Sequence, residues 1–140
     1  IVAFAAAVEA NLYDAKKVTQ LRDAFETGVM QARPDAVING KTSPRLPGIS
    51  NITFPGTQSD SLLLLMDSEK VSCSTGAACT AGVHRPSHVL MAMGLSDVVA
   101  QSSLRFSFGS TSTQADVDYT LSVLPRVIER GLAAHAVGRS

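Results

Sequence analysis

Apolar residues recur along this chain at two different periods, and the order in which the periods change leaves few folds open. Val8, Leu12, Ala15, Val18, Leu21, Phe25 and Val29 follow one another at steps of three and four, with Lys16, Lys17, Asp23 and Glu26 on other faces. That spacing predicts a long amphipathic helix, with Asn11 and Asp14 marking a kink and Pro34 its end. Val117, Leu121, Leu124, Ile128 and Leu132 form a second helical stripe near the other end. Thr113 and Asp116 have the spacing of a capping box at its start, and Pro125 inside it predicts a kink. Between the two helices the period shortens. Val37-Ile38-Asn39 is β-like and stopped by Gly40; Asn51 to Phe54 alternates and is closed by Pro55-Gly56. Val71-Ser72-Cys73 is a further short strand. Ser103 to Phe108 alternates most cleanly, with Leu104, Phe106 and Phe108 facing one way and Arg105 and Ser107 the other. Lys41 to Ser50, rich in Pro, Gly, Ser and Thr, is a loop. Thr57 and Asp60 are spaced to cap a helix through Leu62 to Met66, and Pro86 and Gly94 bracket another over Ser87 to Met93. Helices and strands mix without strict βαβ alternation. The fold class expected is α/β in two layers, a small mixed sheet covered by helices.

A chain of 140 residues suits one domain with a single core. Twelve basic side chains balance twelve acidic ones, which leaves no positive field for phosphates and argues against nucleic acid and anionic membranes as partners. The apolar opening, Ile1 to Val8, has no basic stretch before it and meets Glu9 at once, so it reads as neither a signal peptide nor a membrane span. Two cysteines cannot make a disulfide framework, and a reducing cytoplasm is the expected compartment. The chain lacks an initiator Met and starts inside a helical pattern, as a fragment would.

The least regular segment is Ser74 to Gly82, built from Gly, Ala, Ser and Thr around Cys79. Such a segment neither packs a core nor propagates a helix or strand, and a cysteine on an exposed loop is accessible and can be reactive. The alternative is a small buried hydrophobe, as most free cysteines are. Cys73, in a strand entering the sheet, reads as core. Cys73, Cys79, His84 and His88 form C-x5-C-x4-H-x3-H, a set of zinc-ligand types. Pro86 between the histidines keeps them off a shared helix, and the cysteine spacing is unlike a zinc knuckle, so no metal site is expected. His135 has no partners. Arg105, flanked by Ser103 and Ser107, projects opposite Leu104 and Phe106; it can clamp a carboxylate bidentately or stand on a solvated face in a salt bridge. No Walker loop, GxGxxG, HExxH or GxSxG element is present.

Three blocks resemble a known family. Ser74-Thr75-Gly76-Ala77-Ala78-Cys79-Thr80 is similar to the S-S-G-S-A-C-T/S loop of cysteine desulfurases, and Pro86 to Gly94 to the P-S-x-V-L-x-A-L-G that follows it. Ser102 to Gly109 resembles their S-S-I/L-R-F-S-L/F-G strand, and Thr113 to Asp118 the T-x-x-E/D-I/V-D helix start. Asn39-Gly40, Arg45-Leu46-Pro47-Gly48 and Asn51 to Pro55 fall upstream in the same order. The likeness covers essentially the whole chain and points to the long-loop, iron–sulfur subgroup. Thr75, Ala77, His84 and Arg85 depart from it.

The resemblance implies the C-terminal small domain, residues 1–140, of a fold-type I pyridoxal-phosphate enzyme. It gives Cys79 the role of nucleophile that takes sulfur from L-cysteine as a persulfide, with L-alanine released. Arg105 becomes the residue that binds the substrate α-carboxylate. It further implies a homodimer when complete, an iron–sulfur scaffold or other protein as sulfur acceptor, and pyridoxal phosphate held by a large domain. Lys16, Lys17, Lys41 and Lys70 do not sit in the motif of the cofactor lysine, so the chain alone is expected to bind no cofactor and to be inactive. A free-standing sulfur carrier, relaying persulfide on Cys79, is the alternative.

Overall fold

The computed structural model of the chain describes residues 2–3, 5–6, 14–76 and 86–137. The described elements are α1 (Ala15–Ala32), β1 (Val37–Ile38), β2 (Ile49–Thr53), α2 (Ser59–Ser68), α3 (His88–Ala92), α4 (Asp97–Ala100), β3 (Ser103–Ser107) and α5 (Gln114–Val137). The strands form one sheet in the order β1-β2-β3, antiparallel at both pairings. Helices α1 and α2 each pack on α5 and on the sheet, giving the expected two layers.

Each helix start has a local cause. Asp14 is the N-cap of α1, its carboxylate accepting from the Lys17 N–H at 3.0 Å, so it opens the helix and is not a kink within it. Residues 8 to 13 of the predicted stripe lie outside the described residues. Thr113 and Asp116 bond reciprocally: the Thr113 N–H reaches Asp116 Oδ2 at 2.8 Å and the Asp116 N–H reaches Thr113 Oγ1 at 3.3 Å. The Thr113 contacts hold the Asp116 carboxyl below its ordinary value. Helix α5 continues through Pro125.

Thr57 does something other than cap. It is buried, and its hydroxyl donates to the Phe54 carbonyl at 2.7 Å, closing the turn Phe54-Pro55-Gly56-Thr57. Gly56 takes φ +79°, which a side chain would disfavour. The cap of α2 is Gln58, without a side-chain bond; the Ser59 N–H is satisfied instead by the Gln101 carbonyl at 2.7 Å. Two strand expectations also change. Strand β2 begins at Ile49, inside the predicted loop, because Ser50 faces the core and gives its hydroxyl to the buried carboxylate of Glu26 at 2.7 Å. Val71 to Cys73 is not a strand; only Ser74 pairs, in a single antiparallel bridge to Arg105.

The sheet is two-faced. Ile38, Ile52, Leu104 and Phe106 lie on the covered face with Phe25, Leu62, Met66 and Leu124 from the helices, all buried. Phe25 packs against Phe106 and Phe108 with ring centroids 4.8 and 5.6 Å apart. Burial of such side chains, about 1.5–3 kcal/mol each, is what holds the sheet to the helices.

Candidate active site

The opposite face of the sheet is polar. Register places Asn51 directly across from Arg105 and Thr53 across from Ser103. Residues directly opposite share a face, so Arg105, Asn51, Thr53 and Ser103 stand together, with Asn39 beside them: its N–H donates to the Asn51 carbonyl at 2.8 Å. Along β3 burial alternates from Leu104, with Arg105 and Ser107 exposed and Phe106 buried, as the alternation predicts.

A hydrogen-bond chain crosses this face. Asn39 Nδ2 donates to Asn51 Oδ1 at 2.7 Å and to Thr53 Oγ1 at 2.9 Å. Thr53 Oγ1 and Ser103 Oγ are 2.8 Å apart, and Ser103 Oγ donates to the Val99 carbonyl of α4 at 3.1 Å. Asn39, Thr53 and Ser103 are buried, so these bonds satisfy groups that could not otherwise be left dry. The guanidinium of Arg105 takes no part. Among the described residues no carboxylate pairs with it. The ion pairs among the described residues engage Arg22, Arg33, Arg45 and Arg126.

The bridge at Ser74 ties the segment leading to Cys79 to the strand of Arg105. The Arg105 N–H donates to the Ser74 carbonyl at 2.6 Å and the Ser74 N–H to the Arg105 carbonyl at 3.0 Å. Ser74 Oγ then accepts from the Gly76 N–H at 3.1 Å, and Gly76 takes φ +74°. Cys79 and His84 lie outside the described residues, as do Ala77 and Arg85.

Cys73 is half-buried against the core, less enclosed than a core cysteine would be. Burial, assisted by Asp67, pushes its thiol up to about 11, so at neutral pH it is neither nucleophile nor ready metal ligand. His88 opens α3, two residues after Pro86, and is exposed. Among the described residues no three His, Cys, Asp or Glu side chains converge on one point. No described helix is long and apolar enough to cross a membrane. Arg105 was legible from alternation alone. The Asn39–Asn51–Thr53–Ser103 chain was not, because it depends on the register of three strands.

The aminotransferase class-V family pattern matches residues 3–120. The chain belongs to that family. Among class-V proteins it is 45% identical over 129 residues to an IscS-like cysteine desulfurase of Mycobacterium tuberculosis, an overlap of 91% of this chain and 33% of the relative. It is 41% identical over 115 residues to a cysteine desulfurase IscS of Dictyoglomus turgidum, covering 82% of this chain and 29% of that protein. The fold is similar to that of a NifS-like protein from Rickettsia africae, with a TM-score of 0.72 at 25% identity, over 83% of this chain and 29% of the other. A second NifS-like protein gives a TM-score of 0.69 at 27% identity, over 83% and 28%. The chain thus spans about a third of the length of the class-V relatives it matches.

Proposed function

We propose that this chain is the part of a cysteine desulfurase that binds the carboxylate of L-cysteine and accepts its sulfur. Arg105 holds the α-carboxylate through two parallel N–H···O bonds. Cys79 takes the substrate sulfur: L-cysteine and the Cys79 thiol become L-alanine and a Cys79 persulfide, so every atom is accounted for. The persulfide is then passed to an acceptor protein for iron–sulfur cluster assembly, in a cytoplasmic homodimer. The observation that carries this reading is the bridge between Ser74 and Arg105, which roots the cysteine segment on the strand whose guanidinium pairs with none of the described residues. Five residues of extended chain reach about 18 Å, enough for one thiol to serve both the carboxylate site and an external acceptor.

Pyridoxal phosphate, the group the family resemblance implies, does not fit the described residues. Lys16 and Lys17 belong to α1, Lys41 to the loop before β2 and Lys70 to the end of α2, so no strand carries a lysine onto the polar face. The Lys17 ammonium is committed to the Ser110 carbonyl at 2.9 Å. None of the four lysines therefore stands where it would anchor the cofactor beside Arg105. The isolated chain should release no alanine from L-cysteine and should show no cofactor absorption band when purified with added pyridoxal phosphate; such a band would mean that one of its own lysines suffices.

The decisive experiment pairs two variants in the complete enzyme. Arg105→Ala should lower kcat/KM for L-cysteine about 10- to 150-fold, the equivalent of a charge-assisted contact of about 1.5–3 kcal/mol. The fold should be spared, since the side chain is exposed and bonds none of the described residues. Cys79→Ser should bind cysteine but form no persulfide detectable by mass. If Arg105→Ala leaves kcat/KM unchanged where the variant is folded, while its melting temperature falls sharply, Arg105 is structural and the reading is wrong.

A further inference from the structure

The protons of the hydrogen-bond chain on the polar face can be placed without ambiguity. The Val99 carbonyl can only accept, so the Ser103 hydroxyl spends its proton there. The 2.8 Å contact between Thr53 and Ser103 must then take its proton from Thr53. With that proton spent, Thr53 Oγ1 can only accept from Asn39, which places the amide nitrogen of Asn39 at that contact. The same nitrogen touches Asn51 at 2.7 Å and donates its second proton, so the Asn51 atom there is the carbonyl oxygen Oδ1. The amide nitrogen of Asn51 points elsewhere. Reversing Asn39 would leave its contact with Thr53 without a proton, and reversing Asn51 alone would set two donors against each other.

Asn51 Nδ2 therefore carries two N–H donors with no partner among the described residues, and it is not sealed from solvent. Its neighbour on the other side is Arg105. Arg105 turns both its N–H and its carbonyl outward to Ser74, so Asn51 and Arg105 form a non-hydrogen-bonded pair, the kind that brings opposite side chains closest. Two sets of donors thus stand side by side on one face, one cationic and one neutral, with no acceptor among the described residues paired to either.

We infer that Asn51 is a second binding residue for the substrate carboxylate, donating from Nδ2 to the group that Arg105 clamps, while Asn39 positions it by holding its oxygen. This rests on Arg105 being the carboxylate site. The ligand class follows from the chemistry: a planar anion with two acceptor oxygens matches a guanidinium and an adjacent amide, whereas a cation or an alkyl group matches neither.

Asn51→Leu tests this, since it keeps the shape of the side chain, removes both donors and sets no charge beside Arg105. In the complete enzyme, KM for L-cysteine and the calorimetric Kd for L-alanine should both rise, about 10- to 150-fold, with kcat at saturation little changed. Arg105→Lys, measured alongside, reports on the Arg105 site alone. If Arg105→Lys weakens binding and Asn51→Leu does not, Asn51 has no part and the Arg105 reading stands. If neither changes KM or Kd, both fall. Should Asn51→Leu melt well below the wild type, Asn51→Ala is measured at a temperature where it is folded; an unaltered Kd there overturns the inference equally.

Discussion

Arg45→Met should destabilise the chain far more than a surface substitution would. Glu26 of α1 is 5% exposed, and its carboxylate receives Arg45 Nη1 at 2.6 Å, Arg45 Nη2 at 3.1 Å and the Ser50 hydroxyl at 2.7 Å. The carboxylate also raises the Arg45 guanidinium above its ordinary value, chiefly through the hydrogen bond. Removing one partner of such a pair strands the other charge, which costs about 3–5 kcal/mol when both are fully buried. The Arg45 side chain is 17% exposed, so solvent recovers part of that, and about 2–3 kcal/mol is the expected loss. With a urea m-value of about 2 kcal/mol/M, the unfolding midpoint should fall by about 1–1.5 M. Glu26→Leu with Arg45→Met removes both charges and should recover about 1 kcal/mol of this. What stays lost is about 1–2 kcal/mol for the Ser50 hydroxyl, wholly buried and now without an acceptor. Adding Ser50→Ala should recover that too. Equilibrium urea titrations followed by far-UV circular dichroism measure all three. A cost below about 0.5 kcal/mol for Arg45→Met, or a double variant no better than the single, would refute the stranded-charge argument.

Lys70 takes φ +61° at the end of α2, where the Val71 N–H returns to the Met66 carbonyl at 3.0 Å; Lys70→Gly should stabilise by about 0.5–1 kcal/mol in the same titration. A Cβ at Gly131 of α5 would lie 2.6 Å from Leu62 Cδ2 in the core, so Gly131→Ala should lower the melting temperature despite its better helix propensity. The Cys73 thiol is raised to about 11, so iodoacetamide should label it slowly at pH 8 and faster as pH approaches 11. The sign for stability follows: a thiol held protonated by the fold contributes fully below its unfolded value of about 8.5, and that contribution is lost as pH rises towards 11. Asp116, held low by Thr113, contributes above the ordinary carboxylate range and loses its contribution as pH falls below it; circular dichroism of Thr113→Ala across that range should show a weaker acid dependence.

Local rules were sufficient where a segment's own residues satisfy its backbone. The capping box at Thr113 and Asp116, the alternation of β3 and the arrest of β1 at Gly40, with φ +71°, depend only on near neighbours, and all are found as the residues predict. Where a distant partner outbids the local one, sequence reasoning failed. Thr57 has the spacing to cap α2, but the tight turn through Gly56 makes the Phe54 carbonyl its nearer acceptor, and Gln101 satisfies the helix end instead. Ser50 breaks the alternation that would announce a strand at Ile49, because only Glu26, twenty-four residues earlier, makes a hydroxyl acceptable in the core. Val71 to Cys73 has the composition of a strand, yet pairing reaches only Ser74.

The same division runs through the site. One strand's alternation determined that Arg105 leaves the core face, since side chains on a strand must alternate whatever lies beside it. Composition and motif likewise singled out the segment around Cys79. That Asn51 stands opposite Arg105, and that Asn39 holds the Asn51 oxygen, are facts of register. A slip of one residue would turn Asn51 into the core and Ile52 onto the polar face. Register is set by which apolar side chains pack beneath the sheet — Ile52 and Leu104 against the helices — and that choice belongs to the folded core rather than to any single stretch of the chain.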